Sequence, residues 1–244
     1  MSTRILVNGA NGKMGQLAVM IINEHPDFIL VGTSQRHDDL ATEIKKNKAQ
    51  VVIDFTHAEA VLKNAKIIID AGAHPVIGTS GLLQDQVKLL QAHCAKLKLG
   101  GIIVPNFSLG AVLMMKYAQE IAKYFPQVEI IEMHHAGKLD SPSGTALRTA
   151  ELIAENQPNR ASLTQSGHET IPHARGAIYQ QIPIHSIRLP GIMAQQQVIF
   201  GRSGETLTLR YDTIDRHCYA AGILLACHKV LQLDQLVYGL EHII

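Results

Sequence analysis

The segment Glu132-Met133-His134-His135-Ala136-Gly137-Lys138-Leu139-Asp140-Ser141-Pro142-Ser143-Gly144-Thr145 gathers two titratable rings, a fixed cation and a helix-start pattern within fourteen residues. Histidine titrates near neutral pH and acts as an acid or as a donor to an anion, while a lysine keeps a positive charge and can offer a proton. Pro142-Ser143-Gly144-Thr145 has the composition of a helix N-terminus. The first amides there lack partners within the helix and attract anions, and Gly144 lets a ligand come close to them. Together these groups form a site for a small anionic substrate. Each also has an ordinary explanation: a packed or exposed histidine pair, a plain Ser143 cap, an exposed Thr145. Their convergence in one loop is what favours chemistry.

Adjacent residues on a strand point to opposite faces, so only one of His134 and His135 can aim at a given substrate atom, and the pair makes a poor chelator. Zinc would need His93-Cys94 or Cys227-His228 brought in from distant helices, so no metal is expected. The three cysteines, Cys94, Cys218 and Cys227, show no C-x-x-C spacing and sit among apolar or helical residues. They read as buried free thiols.

The elements that must position this loop are legible as a change of period along the chain. Up to about residue 104, apolar runs at Ile5–Val7, Phe28–Val31, Val51–Ile53, Pro75–Ile77 and Gly101–Val104 alternate with helical patterns at Gln16–Asn23, Ala58–Ala71 and Asp85–Leu97. Strands apolar on both faces, alternating with helices, predict a doubly wound parallel sheet. Beyond Pro105 the order becomes a helix over Leu109–Tyr124, a strand over Val128–Met133, the His-rich loop and a helix over Gly144–Glu155. Asn156–Ala177 is polar with little periodicity and reads as a long loop that could serve as a lid. Ile182–Arg188, Gln197–Phe200 and Thr206–Tyr211 alternate polar and apolar residues, as antiparallel strands with one exposed face do. An apolar helix over Ala220–Leu231 is expected to pack back on the first domain.

Directly after the first strand, Gly9-Ala10-Asn11-Gly12-Lys13-Met14-Gly15 opens the first helix with G-x-x-G-x-x-G spacing. Glycines allow a tight turn and close approach of the backbone to a pyrophosphate, and the helix N-terminus supplies free amides. The strand, turn and helix in first position match a dinucleotide site. The end of the second strand chooses between the nicotinamide cofactors, because a carboxylate there binds ribose hydroxyls and an Arg accommodates an extra phosphate. Gln35-Arg36-His37 offers Arg36 and no carboxylate before Asp38 and Asp39, which tilts the choice between NADPH and NADH toward NADPH. Gly78-Thr79-Ser80-Gly81 and Val104-Pro105-Asn106-Phe107-Ser108 fall at the carboxyl edge where such sheets bind ligands. Asp54-Phe55-Thr56 shares that edge, with a helix-capping Thr56 as its simpler explanation.

With 22 basic and 21 acidic residues in 244, the formal charge is +1, so no global field draws the chain to nucleic acid or an anionic membrane. The start Met1-Ser2-Thr3-Arg4 has no apolar signal core, and no apolar run approaches the roughly 18 residues of a membrane span. A cytoplasmic location and a small-molecule partner are expected. None of the six tyrosines has a lysine four residues later, which disfavours a short-chain dehydrogenase.

The order of Gly9–Gly15, Asp54-Phe55-Thr56, Gly78–Gly81, Asn106-Phe107-Ser108 and above all H-H-x-x-K-x-D-x-P-S-G-T from His134 to Thr145 resembles the dihydrodipicolinate (4-hydroxy-tetrahydrodipicolinate) reductases of diaminopimelate and lysine biosynthesis. His185-Ser186-Ile187-Arg188 is similar to a late segment of that family. The resemblance covers nearly the whole chain. It implies a Rossmann-like domain from 1–105 with 217–244, and an α+β substrate and oligomerisation domain, 106–216, whose open mixed sheet builds a homotetramer. Carried over by motif, His134 would donate or accept a proton, Lys138 would donate one, and His135, Ser143, Gly144 and Thr145 would contact a cyclic dicarboxylate substrate. Gly9, Ala10, Asn11, Gly12, Lys13, Met14, Gln35, Arg36, Gly78, Thr79, Ser80, Val104, Pro105, Asn106 and Phe107 would hold the dinucleotide.

Two departures stand out. The family's acidic residue before Arg36 is Gln35 here, and Leu189-Pro190-Gly191 through Gln195-Gln196-Gln197 replaces a common Gly-Glu-His stretch. The second is expected to affect a subunit interface or domain contact and to touch no carried-over catalytic residue. Competing functions are another two-domain nicotinamide oxidoreductase of a small acid and a non-catalytic NAD(P) sensor.

Overall fold

Val, Ile and Leu runs closed by glycine or polar turns build the first sheet. In the computed structural model, which describes residues 2–157 and 168–244, the chain divides into two compact units. Unit 1 runs to Leu109 and resumes at His217; unit 2 spans Gly110–Arg216.

Unit 1 begins with Thr3–Asn8 (β1), Lys13–Glu24 (α1), Phe28–Ser34 (β2), Leu40–Lys46 (α2), Val51–Asp54 (β3), Ala58–Asp70 (α3), His74–Ile77 (β4), Gln84–Leu97 (α4) and Gly101–Ile103 (β5). All four residues of β3 and the last four of β1 are buried, as expected of strands covered on both faces. The sequence reading omits α2. Asp39 starts it by accepting from the Ala41 amide (3.1 Å) and the Thr42 hydroxyl (2.8 Å), and Leu40 and Ile44 bury its short apolar stripe. The bond from Thr42 holds the Asp39 carboxyl below the usual range, so this acid is a cap and not a free ribose ligand.

Unit 2 contains Leu109–Ile121 (α5, whose first residue belongs to unit 1), Gln127–His134 (β6), Gly144–Asn156 (α6), Ala177–Tyr179 (β7), Ile182–Arg188 (β8), Ala194–Arg202 (β9) and Glu205–Thr213 (β10). Its sheet order is β10-β9-β6-β8-β7. Val128, Ile130, Ile184, Val198 and Phe200 pack against small residues of α5 and α6 such as Ala118 and Ala150. Burying each large aliphatic here contributes about 1.5–3 kcal/mol.

The periodicity reading of β8 as one more antiparallel strand is corrected. It pairs antiparallel with β7 but parallel with β6, Ile130 facing Ile184 and His134 facing Arg188. Alternation reports one exposed face and is blind to direction. The expected loop 156–177 is shorter at both ends, because Asn156 closes α6 and Ala177 opens β7. Its residues 158–167 lie outside the described residues.

The chain returns to unit 1 as Ala220–Lys229 (α7), which packs against α1. A strand absent from the sequence reading, Leu236–Tyr238 (β11), then pairs parallel to β5 and completes the order β11-β5-β4-β3-β1-β2. Cys94 and Cys227 are buried and free, while Cys218 is only half-buried. Burial alone pushes the Cys94 thiol up to about 11 and Cys227 further still. Among the described residues no helix is long and apolar enough to cross a membrane.

Candidate active site

His134 is the last residue of β6, and its side chain lies on the same face as Glu132 two positions earlier, because strand side chains alternate. The ring Nδ1 lies 2.6 Å from a Glu132 carboxylate oxygen. Glu132 is fully buried, and Arg188, opposite His134 at the end of β8, grips it through two guanidinium bonds of 3.0 and 2.8 Å. Burial pushes the Glu132 carboxyl upward, but hydrogen bonds from Arg188, Ser186 and His134 outweigh it and leave it below the usual range. For His134 burial dominates and lowers its affinity for a second proton. Glu132 opposes this, and the charges of Lys138 and Arg188 add to it.

Because both ring nitrogens of neutral imidazole have distinct roles, Glu132 fixes the tautomer: Nδ1 carries the hydrogen and Nε2 is left as an acceptor. Arg188 also donates to the Asp140 carbonyl at 2.7 Å, tying the loop between β6 and α6 to the same carboxylate cluster. In that loop Lys138 Nζ pairs with Asp140 at 2.8 Å and keeps the Asp140 carboxyl below its ordinary value. Ser143 caps α6 by accepting from the Ala146 amide at 3.2 Å. The amides of Gly144 and Thr145 are not used by this cap, and a Cβ on Gly144 would meet nothing within 4 Å. His134, Lys138, Ser143, Gly144 and Thr145 therefore belong to one strand end, one loop and one helix start.

His135 diverges from His134 and lines a cleft of about 590 Å³ with Gly191, Met193, Asp212 and Arg216. Its amide donates to the Met193 carbonyl at 3.3 Å. The expectation that the 189–197 stretch touches no carried-over catalytic residue is corrected: the Leu189 amide donates to the His134 carbonyl at 3.1 Å, and Ala194 pairs with His134 across β6 and β9. Gln196 is also buried and donates to the Thr149 hydroxyl at 2.8 Å, which in turn donates to the Thr145 carbonyl at 2.7 Å. The sequence reading assigned no role to Glu132 or Arg188. The i, i+2 spacing of Glu132 and His134 was a usable signal, whereas Arg188 is brought in only by the parallel register of β6 and β8.

In unit 1 the ends of β2, β1, β3, β4 and β5 share one carboxyl edge. Gly9 has φ +83°, and a Cβ there would overlap the Phe55 carbonyl; one on Gly15 would overlap the turn at Gly9. These glycines let β1, the turn and α1 close on one another. Gly12 caps α1 without a side-chain bond, so the first-turn amides of Lys13, Met14 and Gly15 remain for an anion. Ala10 and Asn11 complete the turn, the Asn11 carbonyl accepting from Gln16 at 3.2 Å. Gln35 and Arg36 follow β2; the Gln35 amide donates to Asp38 at 2.7 Å, and Arg36 is exposed. Asp38 is thereby engaged in a turn.

Gly78, Thr79 and Ser80 follow β4, and Val104, Pro105, Asn106 and Phe107 follow β5. A Cβ on Gly78 would intrude on the Phe55 and Phe107 rings, which pack with centroids 5.4 Å apart. Thr56 is not a helix cap: the cap position of α3 is His57, and the Thr56 hydroxyl donates to Asp54 at 2.8 Å. The free amides, the close-packed glycines and the shared edge fit a dinucleotide. Among the described residues the one three-membered group of potential metal ligands is His25, Asp27 and His228. Its rings pack on Phe28, with His228 4.5 Å from it, and it includes neither His134 nor His135.

Residues 3–107 match the family described as "Dihydrodipicolinate reductase, N-terminus" and residues 110–244 match "Dihydrodipicolinate reductase, C-terminus". A 4-hydroxy-tetrahydrodipicolinate reductase of Coxiella burnetii (strain RSA 493 / Nine Mile phase I) is 52% identical over 244 residues, covering all of both chains. One from Legionella pneumophila (strain Corby) is 52% identical over 247 residues with the same coverage. A solved dipicolinate-bound dihydrodipicolinate reductase from Paenisporosarcina sp. TG-14 superimposes with a TM-score of 0.94 at 38% identity, covering 100% of each chain. An engineered D-amino acid dehydrogenase bound to NADP+ shares the fold, with a TM-score of 0.60 at 14% identity over 99% of this chain and 94% of its own.

Proposed function

The chain belongs to the dihydrodipicolinate reductase family, and from that premise we infer how its residues divide the work. It is an oxidoreductase of diaminopimelate and lysine biosynthesis that uses a nicotinamide dinucleotide to reduce 4-hydroxy-tetrahydrodipicolinate to tetrahydrodipicolinate. Substrate and product differ by one oxygen, so the balance is one hydride and one proton taken up and one water released. The bound dinucleotide supplies the hydride. Everything else falls to the side chains.

The observation that carries the assignment in unit 2 is that a single loop joins an oriented histidine to a lysine and an open helix N-terminus. Lys138, held in the loop by Asp140 at 2.8 Å, is the proton donor. His134, its Nδ1 hydrogen engaged by Glu132, presents Nε2 to accept or relay a proton, consistent with burial keeping the ring neutral. One substrate carboxylate is bound by the Gly144 and Thr145 amides, with Ser143 holding the helix start in place. His135 contacts the substrate from the other side of the loop. In unit 1, Gly9–Met14 bind the pyrophosphate, and Gly78–Ser80 with Val104–Phe107 hold the nicotinamide end.

NADPH is the preferred of the two dinucleotides in this reading. Gln35 offers no carboxylate to ribose hydroxyls and Arg36, exposed, offers its charge to a 2′-phosphate. Gln35→Glu is expected to raise the ratio of kcat/KM with NADH to kcat/KM with NADPH by roughly tenfold, about 1.4 kcal/mol. A ratio unmoved by the substitution would remove Gln35 from cofactor choice. The assembly is a homotetramer acting in the cytoplasm. What supports the tetramer is the sheet face of unit 2 opposite α5 and α6, where Ile131, Met133, Ile187 and Ile199 are incompletely buried among polar neighbours.

The experiment is dinucleotide oxidation followed by absorbance, with the unstable substrate made in place from aspartate semialdehyde and pyruvate by the preceding synthase. Substrate-dependent oxidation is the expected result. Tight dinucleotide binding with no oxidation would instead indicate another substrate or a sensor.

A further inference from the structure

Asp54, the last residue of β3, is fully buried and has no cation partner among the described residues. One carboxylate oxygen accepts from Asn8 Nδ2 at 2.8 Å and Asn64 Nδ2 at 3.0 Å. The other accepts from the Thr56 hydroxyl at 2.8 Å, the Thr79 hydroxyl at 2.6 Å and, more weakly, the Thr56 amide at 3.3 Å. The two hydroxyls are themselves hydrogen-bonded by neighbours. The Thr79 oxygen already accepts from the Thr56 amide at 2.8 Å, and the Thr56 oxygen from Asn64 Nδ2 at 3.0 Å. Amide nitrogens can only donate, and both hydroxyls face Asp54, Thr79 reaching its backbone carbonyl at 3.2 Å as well as its carboxylate.

Burying a charge without a counter-charge is expensive, and here five donors around an acceptor-only group offset that cost. The place of its partners suggests a further role: Asn8 precedes the Gly9 turn, Thr56 follows β3, and Thr79 lies in the loop after β4, so one anion joins three strand ends, of which those of β1 and β4 carry the proposed cofactor residues. Resting on the assignment of unit 1 to a nicotinamide dinucleotide, we propose that Asp54 is a positioning residue whose uncompensated negative charge favours the oxidised, cationic nicotinamide over the reduced, neutral one. A purely structural brace would support both redox forms alike. A fixed anion distinguishes them, because only the oxidised ring carries a positive charge.

The test uses the full chain and needs no turnover. NADP+ and NADPH are titrated separately by calorimetry into the wild type, Asp54→Asn and Asn64→Lys. Asp54→Asn removes the charge at constant size. Asn64→Lys leaves the carboxylate in place and sets an ammonium against it from a half-buried position on α3, so it carries the test if Asp54→Asn does not fold. In both variants the ratio Kd(NADP+)/Kd(NADPH) is expected to rise at least fivefold over the wild type. A ratio within twofold of the wild type in either folded variant, even with both affinities weakened, overturns the proposal. A wild-type chain that binds neither dinucleotide overturns the cofactor assignment itself, and the role of Asp54 with it.

Discussion

Lys138→Ala should lower kcat/KM by about two to four orders of magnitude, the range that a positioned proton donor contributes, while leaving the Kd for NADPH within twofold of the wild type. The separation follows from where Lys138 sits. It is in unit 2, its recorded partner is Asp140, and that carboxylate is 63% exposed and returns to water when the lysine is removed. Fold stability should therefore change by no more than about 1 kcal/mol, the upper end for an ion pair with an exposed partner. Steady-state rates, a calorimetric titration and a melting curve on one preparation check the three expectations together. A variant that keeps kcat/KM within threefold would exclude Lys138 as the donor and transfer that role to His134.

Glu132→Gln should have the largest combined effect, because one carboxylate serves both the sheet and the reaction. It is fully buried against Arg188, whose side chain is 19% exposed. Breaking such a pair from one side leaves an uncompensated guanidinium and costs about 3–5 kcal/mol. The transition of unit 2 should fall by on the order of 10 °C. Activity should drop as well, since the amide no longer holds the His134 tautomer by charge.

The pH dependence gives an independent check. Both His134 and Glu132 have folded-state pKa values below their ordinary ones. A depressed value means that the unfolded chain takes up the proton first, so each group contributes stability that is complete above its unfolded pKa and is lost as pH falls through the folded value. In the wild type the loss begins below about pH 6.5 through His134 and deepens below about pH 4.3 through Glu132. Glu132→Gln removes the second loss. Melting temperature against pH in the two proteins tests this; superimposable profiles would show that Glu132 is not the stabilising anion.

What could be read from the sequence and what could not divide along physical lines. The parallel strands of unit 1 were legible because burial on both faces leaves uninterrupted apolar runs, and the Gly9 turn because only glycines tolerate that packing. α2 was missed because seven residues carry barely two turns of periodicity; its signal was the Asp39 cap. β11 has three residues and exists only through its pairing with β5, a partner far away in sequence. The same is true of Arg188. Its chemistry could be named from its type, but its place beside His134 depends on β8 running parallel to β6, which hydrophobic alternation does not encode. The Gln196 to Thr149 bond is likewise a product of how α6 lies on the sheet.

β11 also changes the entropy of folding. Pairing residues 101–103 with 236–238 closes a loop of roughly 130 residues when the chain between them is disordered, and the cost of closure grows with the logarithm of its length. Once unit 2 has folded, its first and last stretches are already adjacent: the backbone at Gly110 lies against the Tyr211 ring. The loop left to close is then only a few tens of residues. By the logarithmic rule this difference is on the order of 1 kcal/mol. A folded unit 2 thus acts as a molecular clasp, stabilising the last strand of the other sheet through chain connectivity alone, and a substitution that loosens unit 2 weakens the hold on β11 by the same route.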